Sequence, residues 1–363
     1  MMKALNISFL LLLILGCQQQ PKYIEVSTEQ KGYKNFVLFN DSIIALGANN
    51  ELVSIDPQRM VTPIARNIIL INSINEGFAF VNSSNEINFN NSSGRISNPT
   101  PDSLEVAGLI QLPTKEVYII TNNAIINSAT NDLFAFEDAP LTNDQIPIHS
   151  GIIPESLVLD MDGNIWVGFD YGEWGGELIV FNTSDRSFEK IELGEFDLNL
   201  CHVDNLTLTN SGILLSYGKG HGYNDGLIHF KNLKPDMVLD CKDSLVQFIH
   251  EGKQAERWDR GFEIGPVAYS PLNNKLYFYS DGRILSGELT QGMPDESYWK
   301  EEFTFYDFVE HGVGELDTLF GEVRFNPNIM IAKLALLDTT NFVFLTMNDG
   351  IGIIQNGNLT MYK

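Results

Sequence analysis

Two glycine-rich stretches in the middle of the chain combine aromatic, acidic and basic residues in a pattern that suits ligand binding. The first reads DYGEWGG over residues 170–176, and the second reads GKGHGYNDG over residues 218–226. Aromatic rings offer area for stacking, while carboxylates and a guanidinium fix the polarity and orientation of a ligand. We predict one polar and aromatic pocket, lined by Glu173, Trp174, His221, Tyr223, Asp225, Trp258 and Arg260.

A calcium loop has weaker support in the sequence. Asp160, Asp162 and Asn164 have the spacing with which such a loop begins, but Tyr171 stands where the loop needs an acidic ligand. The glycine between Asp162 and Asn164 is typical of an Asp-Gly hairpin turn, which explains the pattern better. We therefore predict a turn at these residues and no metal.

Three histidines could reach the same pocket but are spread along the chain: His202, His221 and His250. Zinc sites repeat their ligands at short fixed intervals, which these positions do not show. We predict no cofactor, with a divalent metal at the channel mouth as the alternative. No motif selects a catalytic serine, so the catalytic residues of any reaction stay unassigned.

The elements that must position these residues recur along the chain. An apolar run, a polar turn, a second run, a short break and a third run repeat seven times, from Phe36, Ile68, Gly108, Leu157, Leu206, Val267 and Leu334. Runs of β-branched and aromatic residues bounded by Asn, Asp and Gly are strand signals. Such tandem repeats predict an all-β chain folded as a β-propeller. We predict seven blades; six or eight would also fit, and a pair of β-sandwiches is the alternative.

The fourth repeat carries a motif of its own. Residues 162–168 read DGNIWVG, followed by a glycine pair at 175–176 and by IVFN at 179–182. This copy resembles the repeat of the two-component regulator propellers, which reads roughly D-G-N-L-W-[IV]-G-T-x-x-G-G-[IL]-x-x-[FY]. The fifth repeat keeps glycines but lacks the tryptophan, and the others match in pattern alone. The resemblance implies a propeller and carries no function, because those domains are sensor or scaffold modules attached to other domains.

Propeller geometry places the two glycine-rich stretches side by side. Because the first strand of each blade lines the channel, the loops between second and third strands share one face with the connections between blades. Residues 170–176 and 218–226 make this loop long in blades four and five, and two long connections, 241–265 and 293–333, fall on the same face. Long loops with aromatics bind or cap something. The alternative is that their aromatic residues pack onto the scaffold as small cores.

A ring of sheets needs its ends joined, because an open sheet edge invites pairing with other chains. We predict that a segment from the other terminus completes the fourth strand of one blade. Tyr23–Val26 and Leu359–Tyr362 are the two candidates.

The N-terminus predicts export and lipidation. A charged start is followed by an apolar stretch from Ile7 to Leu15 and by ILGC at residues 14–17. This stretch is too short to span a bilayer and suits a secretory signal. It resembles the lipobox of bacterial lipoproteins, which implies lipidation of Cys17; an ordinary signal peptide is the alternative. We divide the chain into a lipoprotein signal peptide (1–16), a lipidated N-terminus and tether (17–34) and a β-propeller domain (35–363).

Charge and cysteine content narrow the partners. The chain has 23 Lys and Arg against 47 Asp and Glu, a net charge of −24. Loss of residues 1–16 removes only Lys3 and leaves about −25. Such a surface repels phosphate backbones, which excludes nucleic acid as a partner.

Besides Cys17 there are Cys201 and Cys241. An exported compartment permits a disulfide between Cys201 and Cys241, and two buried thiols are the alternative.

Together these patterns predict a membrane-anchored envelope lipoprotein whose propeller binds a protein or an extracellular ligand, such as a glycan, without catalysis. The alternative is a propeller enzyme of lactonase or lyase type acting at the channel mouth. A structural envelope subunit would instead show a broad apolar patch. Gln18, Gln19 and Gln20 follow Cys17 without the acidic run that surface-exported Bacteroidota lipoproteins often carry. By that resemblance we favour the periplasmic face of the outer membrane.

Overall fold

The computed structural model describes residues 22–30, 32–56, 58, 60–91, 95–97, 100–101, 104–140, 142, 151–194, 196–219, 222–240, 244–250, 253–259, 264–280, 282–289, 298–311, 316–317, 324–325, 331–347 and 350–363. In this part of the chain the regular structure is β-strand, joined by short 3-10 helices.

The strands form seven successive blades, each a sheet in which consecutive strands pair antiparallel. Before the first blade lies β1 (Tyr23–Val26). Blade one holds β2 (Tyr33–Phe39), β3 (Ser42–Gly47), β4 (Leu52–Ile55) and β5 (Val61–Ala65); blade two holds β6 (Ile68–Ile74), β7 (Gly77–Asn82), β8 (Glu86–Phe89) and β9 (Arg95–Ser97); blade three holds β10 (Val106–Gln111), β11 (Val117–Thr121), β12 (Ala124–Asn127) and β13 (Leu133–Ala135).

Blade four holds β14 (Ser156–Leu159), β15 (Asn164–Asp170), β16 (Gly176–Asn182) and β17 (Ser187–Glu189); blade five holds β18 (Cys201–Thr209), β19 (Gly212–Lys219), β20 (Gly222–Lys231) and β21 (Lys234–Asp240). A hairpin of β22 (Ser244–His250) and β23 (Lys253–Asp259) comes next. Blade six holds β24 (Val267–Ser270), β25 (Lys275–Ser280), β26 (Arg283–Glu288) and β27 (Lys300–Thr304). After a short pair, β28 (Leu316–Asp317) and β29 (Arg324–Phe325), blade seven holds β30 (Ile331–Leu336), β31 (Phe342–Thr346), β32 (Ile351–Gln355) and β33 (Asn358–Tyr362). The fold is the seven-bladed β-propeller that the repeats predict.

The core lies between neighbouring blades, so the middle strands are buried on both faces. Every residue of β11 and β12 is buried, as are six of the seven in β15. Between blades three and four, Tyr118, Phe169 and Phe181 share one apolar cluster. A strand covered on both faces needs a continuous apolar run, which is what the sequence shows in place of polar alternation. Each fully buried Phe contributes about 1.5–3 kcal/mol through removal of apolar area from water.

The meander gives the propeller two unlike faces. The first strand of each blade runs from what we call the upper face to the lower face. The second strand runs back to the upper face, the third runs down again, and the fourth returns to the upper face. The upper face therefore holds the loops between second and third strands and the connections between blades. The lower face holds the loops between first and second strands and between third and fourth strands. The upper loops of blades one and two are tied to the connection between them, because Asn50 O accepts from Ile68 N at 2.9 Å and Asn67 O accepts from Ser83 N at 2.8 Å.

The DMDGNIW motif of blade four builds a turn on the lower face. The Asp160 carboxylate accepts hydrogen bonds from the backbone N–H groups of Asp162 and Asn164 at 2.9 and 2.8 Å. It also accepts from Asn164 Nδ2 and from the indole Nε1 of Trp166, both at 2.8 Å. Gly163 takes a φ of 84°, which favours glycine. The residues that mimic the start of a calcium loop thus hold the hairpin and seat Trp166 in the core.

Polar side chains join the first strands of neighbouring blades around the channel. A first strand has no strand partner on its channel side, so its backbone groups need other partners. These bonds are Asn35 Nδ2 to Ile71 O (3.3 Å), Leu109 N to Asn72 Oδ1 (3.2 Å), Leu206 N to Ser156 Oγ (2.9 Å), Thr207 Oγ1 to Val267 O (3.3 Å) and Lys333 Nζ to Phe36 O (2.8 Å). The last bond joins blade seven to blade one.

The ring closes with a fifth strand on blade seven. Strand β33, the fourth strand of that blade, pairs in parallel with β1, with Tyr23 opposite Leu359 and Val26 opposite Tyr362. Thr28 N and Lys363 N extend the ladder by donating to Lys363 O at 2.6 Å and Val26 O at 3.0 Å. Both predicted segments take part, but the prediction that one would complete a four-stranded blade is wrong. Blade seven supplies its own four strands, and β1 covers the outer edge.

The predicted connection at residues 293–333 is also partly wrong. It contains β27, the fourth strand of blade six, so only the part after Thr304 leads to blade seven. Trp299 lies just before this strand, is 7% exposed, and meets the Phe278 ring edge-on at 4.9 Å between centroids. This tryptophan packs onto the scaffold, as the alternative interpretation expected.

Candidate functional site

The upper loop of blade four, residues 171–175, is anchored at both ends. Tyr171 is buried beside Phe169, at 6.0 Å between ring centroids. A Cβ on Gly175 would lie 2.3 Å from Leu198 O, and one on Gly176 would lie 2.9 Å from Val203 N. Only glycine permits this approach to the backbone that enters blade five. The loop is therefore held against blade five and does not move as a free connector.

The tip of this loop displays an aromatic side chain. A single 3-10 turn covers Gly172–Trp174, and Asp170 Oδ1 accepts from Gly172 N at 2.5 Å. Trp174 is 67% exposed, in contrast to the buried Tyr171. A large aromatic ring that stays in water on an anchored loop is a candidate contact for a ligand.

The corresponding stretch of blade five is mostly strand. Residues 218–226 were predicted to be a long loop, but β19 continues to Lys219 and β20 starts at Gly222. Lys219 pairs with Gly222, and the register shifts between Tyr217 and Lys219. The long-loop prediction is thus wrong: Gly218, Gly222 and Gly226 lie in the two strands of a hairpin. Their role is to make room, since a Cβ on Gly226 would lie 2.3 Å from the Tyr217 ring.

Gly218 makes room for two chemically active side chains. A Cβ there would lie 2.6 Å from His202 Nε2 and 3.2 Å from Asp225 Oδ1. His202 is the cross-strand partner of Gly218 on the first strand of blade five. Asp225 lies on the third strand, and its Oδ2 accepts from Ile264 N at 2.9 Å. The glycine therefore lets a histidine and a carboxylate converge over one point of the sheet.

His202 forms an ion pair with its neighbour on the same strand. Its Nε2 lies 3.0 Å from Asp204 Oδ1, and the two side chains are 23% and 29% exposed. The hydrogen bond to Asp204 raises the pKa of His202, with Asp170 and Asp225 adding to the rise and burial opposing it. Burial raises the pKa of Asp204, and His202 opposes that rise. The hydrogen bond between the two side chains therefore favours the protonated imidazole at the channel mouth.

Two more carboxylates stand at the rim of this mouth. Glu155 lies just before β14, and Asp170 ends β15. Burial raises the pKa of Glu155, and the charges of Asp170 and Asp204 raise it further. Negative charges near one another favour protonation of a carboxylate. They also favour a bound group that is cationic or that donates hydrogen bonds. We call Glu155, Asp170, His202, Asp204 and Asp225 the mouth cluster.

Within the part of the chain that the structure describes, no three histidine, cysteine or acidic side chains are arranged to hold a metal ion. The carboxylates and the imidazole of the mouth cluster are side chains that hydrogen-bond with polar ligand groups. His202 and Asp204 can in addition exchange a proton. Among the described residues, no helix has the length and apolar character that a membrane span requires.

The structure locates only some of the residues that the sequence selected. Trp174 and Asp225 lie on the upper face of blades four and five, as the pattern required. Glu173, Tyr223 and Trp258 belong to described backbone, but their side chains lie outside the described part, and His221 and Arg260 lie outside it altogether. The pocket that unites all seven thus stays a prediction.

Asp204 and Glu155 were missed by sequence reasoning. Both lie at the upper ends of first strands or directly before them, where a propeller exposes side chains to the channel mouth. A search for charged residues at those positions would have found them, since β14 and β18 are otherwise apolar or neutral.

The predicted disulfide is untested. Cys201 is buried in the cluster between blades four and five, together with Trp166 and Leu178. Cys241 lies outside the described residues, so the bridge stays a prediction.

Comparison with known proteins adds the fold and no function. No family model matches the chain, and no curated protein matches it. Among solved structures, it is similar to the extracellular domain of BT4673, a one-component system of B. thetaiotaomicron, with a TM-score of 0.52 and 16% identity over 92% of this chain and 40% of that one. It is also similar to the β-propeller domain of Cps50 (Swd1) of Myceliophteria thermophila, with a TM-score of 0.53 and 11% identity over 91% and 97% of the two chains. The chain thus spans about two fifths of the Bacteroides structure.

Proposed function

We propose that the chain is a lipid-anchored lipoprotein of the cell envelope whose propeller binds an extracellular ligand, without catalysis. The binding site is the upper mouth between blades four and five. A glycan suits this site best, because sugar rings stack on tryptophan and their hydroxyls donate to carboxylates. A protein ligand is the other class that the sequence left open.

One observation carries the proposal: Trp174 is 67% exposed on a loop that is otherwise anchored by buried Tyr171 and by Gly175 and Gly176. A tryptophan ring that is mostly exposed offers its face to a ligand, and an anchored loop presents it with little loss of conformational entropy. The mouth cluster lies on the same face and supplies polar partners. The extracellular location of the BT4673 domain, a structure of similar fold, agrees with an envelope address.

The test begins with a thermal-shift screen of the mature chain against glycans, lactones and divalent metal ions. For the strongest glycan in that screen, Trp174→Ala should weaken binding by about tenfold or more, the usual effect of removing a central aromatic contact. Its melting temperature should match that of the parent, because the side chain is exposed. Leu272→Ala is the matched control, because Leu272 is an exposed apolar residue on the lower face. This variant should bind the glycan as the parent does.

Trp174→Ala with normal binding and a melting temperature several degrees lower would show that the loop is a packing element. Tyr223→Ala provides a second arm, since the predicted pocket includes this side chain. If neither Trp174→Ala nor Tyr223→Ala weakens the binding of any ligand from the screen, the proposed site is overturned.

Catalysis of lactonase or lyase type is the second candidate function, favoured by one observation. His202 and Asp204 form a 3.0 Å pair beside Glu155, whose pKa is raised, and such pairs can act as general acid and base. Hydrolysis or cleavage of a lactone from that screen, followed through product formation, that is lost in His202→Gln and retained in Trp174→Ala would favour the enzyme over the binding module.

A further inference from the structure

The position of β1 fixes where the N-terminal tether meets the propeller, and it corrects the predicted tether of residues 17–34, because β1 and the start of β2 are strands of the propeller. Fourth strands run from the lower face to the upper face, and β1 runs parallel to the fourth strand of blade seven, β33. Its first residues are therefore on the lower face. Lys22 N donates to Asn358 Oδ1 at 2.9 Å, and Lys22 O accepts from Leu359 N at 2.9 Å, next to the lower turn at Asn356 and Gly357.

The tether is too short to turn the molecule over. Five residue steps separate Lys22 from the predicted lipid attachment at Cys17, and they reach at most about 18 Å when fully extended. A seven-residue strand such as β2 has a length of about 23 Å. A lipid on Cys17 therefore keeps the lower edge of blade seven close to the bilayer and cannot bring the upper face to it.

Exposed apolar side chains occur on the lower face of several blades, including Met161 of blade four at 65% exposure, and some of them lie on either side of that edge. Met60, between the third and fourth strands of blade one, is 63% exposed. Leu272, between the first and second strands of blade six, is 84% exposed, and Tyr298 of the same blade is 39% exposed. Blades one and six are the two neighbours of blade seven. Their apolar tips suit the boundary between headgroups and acyl chains.

We propose that the lower edge of blades six, seven and one rests on the membrane surface beside the lipid anchor, so that the mouth cluster and Trp174 face away from the bilayer. Blades four and five lie in the half of the ring away from blade seven, and their site lies on the opposite face. A ligand of the mouth cluster and Trp174 therefore approaches from the aqueous side, and the headgroups of the bilayer that holds the anchor do not reach this site. This inference rests on the lipid anchor of the proposed function.

The orientation can be measured on the lipidated full chain bound to vesicles of phosphatidylethanolamine and phosphatidylglycerol. Met60→Cys, Leu272→Cys and Met347→Cys are each labelled with a fluorophore, with the unsubstituted chain labelled in parallel as background. Met347 is the matched control, because it is 64% exposed and belongs to blade seven but lies in its upper loop. Quenching by lipids that carry a spin label on the headgroup reports distance from the bilayer.

Labels at positions 60 and 272 should be quenched about twofold or more strongly than the label at 347, since interfacial groups sit ~5–10 Å into the headgroup boundary. Equal quenching at all three positions, or stronger quenching at 347, overturns the proposal. So does a chain that stays in solution because Cys17 carries no lipid. This measurement of orientation needs no ligand. Introducing Trp174→Ala into each labelled chain should leave the quenching unchanged. The orientation can therefore be tested even if the proposed binding site proves wrong.

Discussion

His202 Nε2 and Asp204 Oδ1 lie 3.0 Å apart at the upper end of the first strand of blade five. The two residues are separated by Val203, and the register of β18 against β19 shifts between Val203 and Asn205. In a regular strand, residues i and i+2 point to the same face. Here both stand at the channel mouth, where the pair is partly shielded from water and faces Asp170 and Asp225.

The first prediction concerns the pKa of His202. Its hydrogen bond to Asp204 is the largest cause of the raised value, so Asp204→Asn should lower the pKa of His202. A titration of the imidazole signals by NMR measures it. His229 is the internal control: burial lowers its pKa to about 4, and Asp204 is not among the causes, so its titration should not change.

The same pair predicts how stability changes with pH. A histidine whose pKa is higher in the folded state contributes stability in full below its unfolded value of about 6.5. That contribution is lost as pH rises through the folded pKa. The free energy of unfolding of the parent, relative to His202→Gln, should therefore fall as pH rises above 6.5, measured by urea denaturation. A difference that is constant between pH 5 and 9 would contradict the ion pair.

Gly218→Ala tests the convergence of His202 and Asp225. The added Cβ would lie 2.6 Å from His202 Nε2, so the imidazole must move. We expect a loss of about 1–3 kcal/mol, typical of overpacking, together with a changed pKa of His202. Gly172→Ala is the control: no atom lies within 4 Å of its Cβ, so the change adds only backbone strain at a φ of 62° and should leave that pKa unchanged. Equal behaviour of the two variants would show that Gly218 does not position the histidine.

Lys333 should make stability rise with pH in the alkaline range. Burial lowers its pKa to about 8, while its Nζ donates to Asn35 Oδ1 and Phe36 O, both at 2.8 Å. Below pH 8 the folded state bears the full cost of a buried charge. That cost disappears as pH rises from about 8 towards the unfolded value of about 10.5. The free energy of unfolding of the parent should therefore rise relative to Lys333→Met over that range, whereas a flat difference would show that the amine is neutral or well solvated throughout.

Lipidation of Cys17 is the fifth prediction. Cys17→Ala should move the protein from the membrane fraction to the soluble fraction, because a short signal without a lipid leaves no anchor. Fractionation followed by mass measurement of the N-terminal peptide checks it. Membrane association of the unlipidated variant would contradict the anchor.

The strands of the propeller could be predicted because each blade repeats one local pattern. A strand such as β15 is buried on both faces, so its apolar run shows in the sequence without knowledge of its partners. The turn at Asp160 is local too, since the residues that donate to its carboxylate lie within six positions. Blade number and strand order follow from such signals.

The loops were less predictable, because a glycine has several roles. The glycines of residues 218–226 suggested a flexible loop, yet Gly218 and Gly226 lie in strands, where they face His202 and the Tyr217 ring. Gly175 and Gly176 contact the backbone of the neighbouring blade in a similar way. Whether a glycine serves a turn or a close approach depends on a partner that is distant in the chain.

The sequence by itself determined the all-β class, the tandem repeat and the turn at Asp160, since these depend on periodicity and local turn chemistry. Only the tertiary structure decided that β1 adds a fifth strand to blade seven, because pairing of Tyr23 with Leu359 joins residues from opposite ends of the chain. It also decided the mouth cluster. Glu155 and Asp170 belong to blade four, whereas His202, Asp204 and Asp225 belong to blade five. Their charges interact because the ring places the upper ends of strands from the two blades side by side.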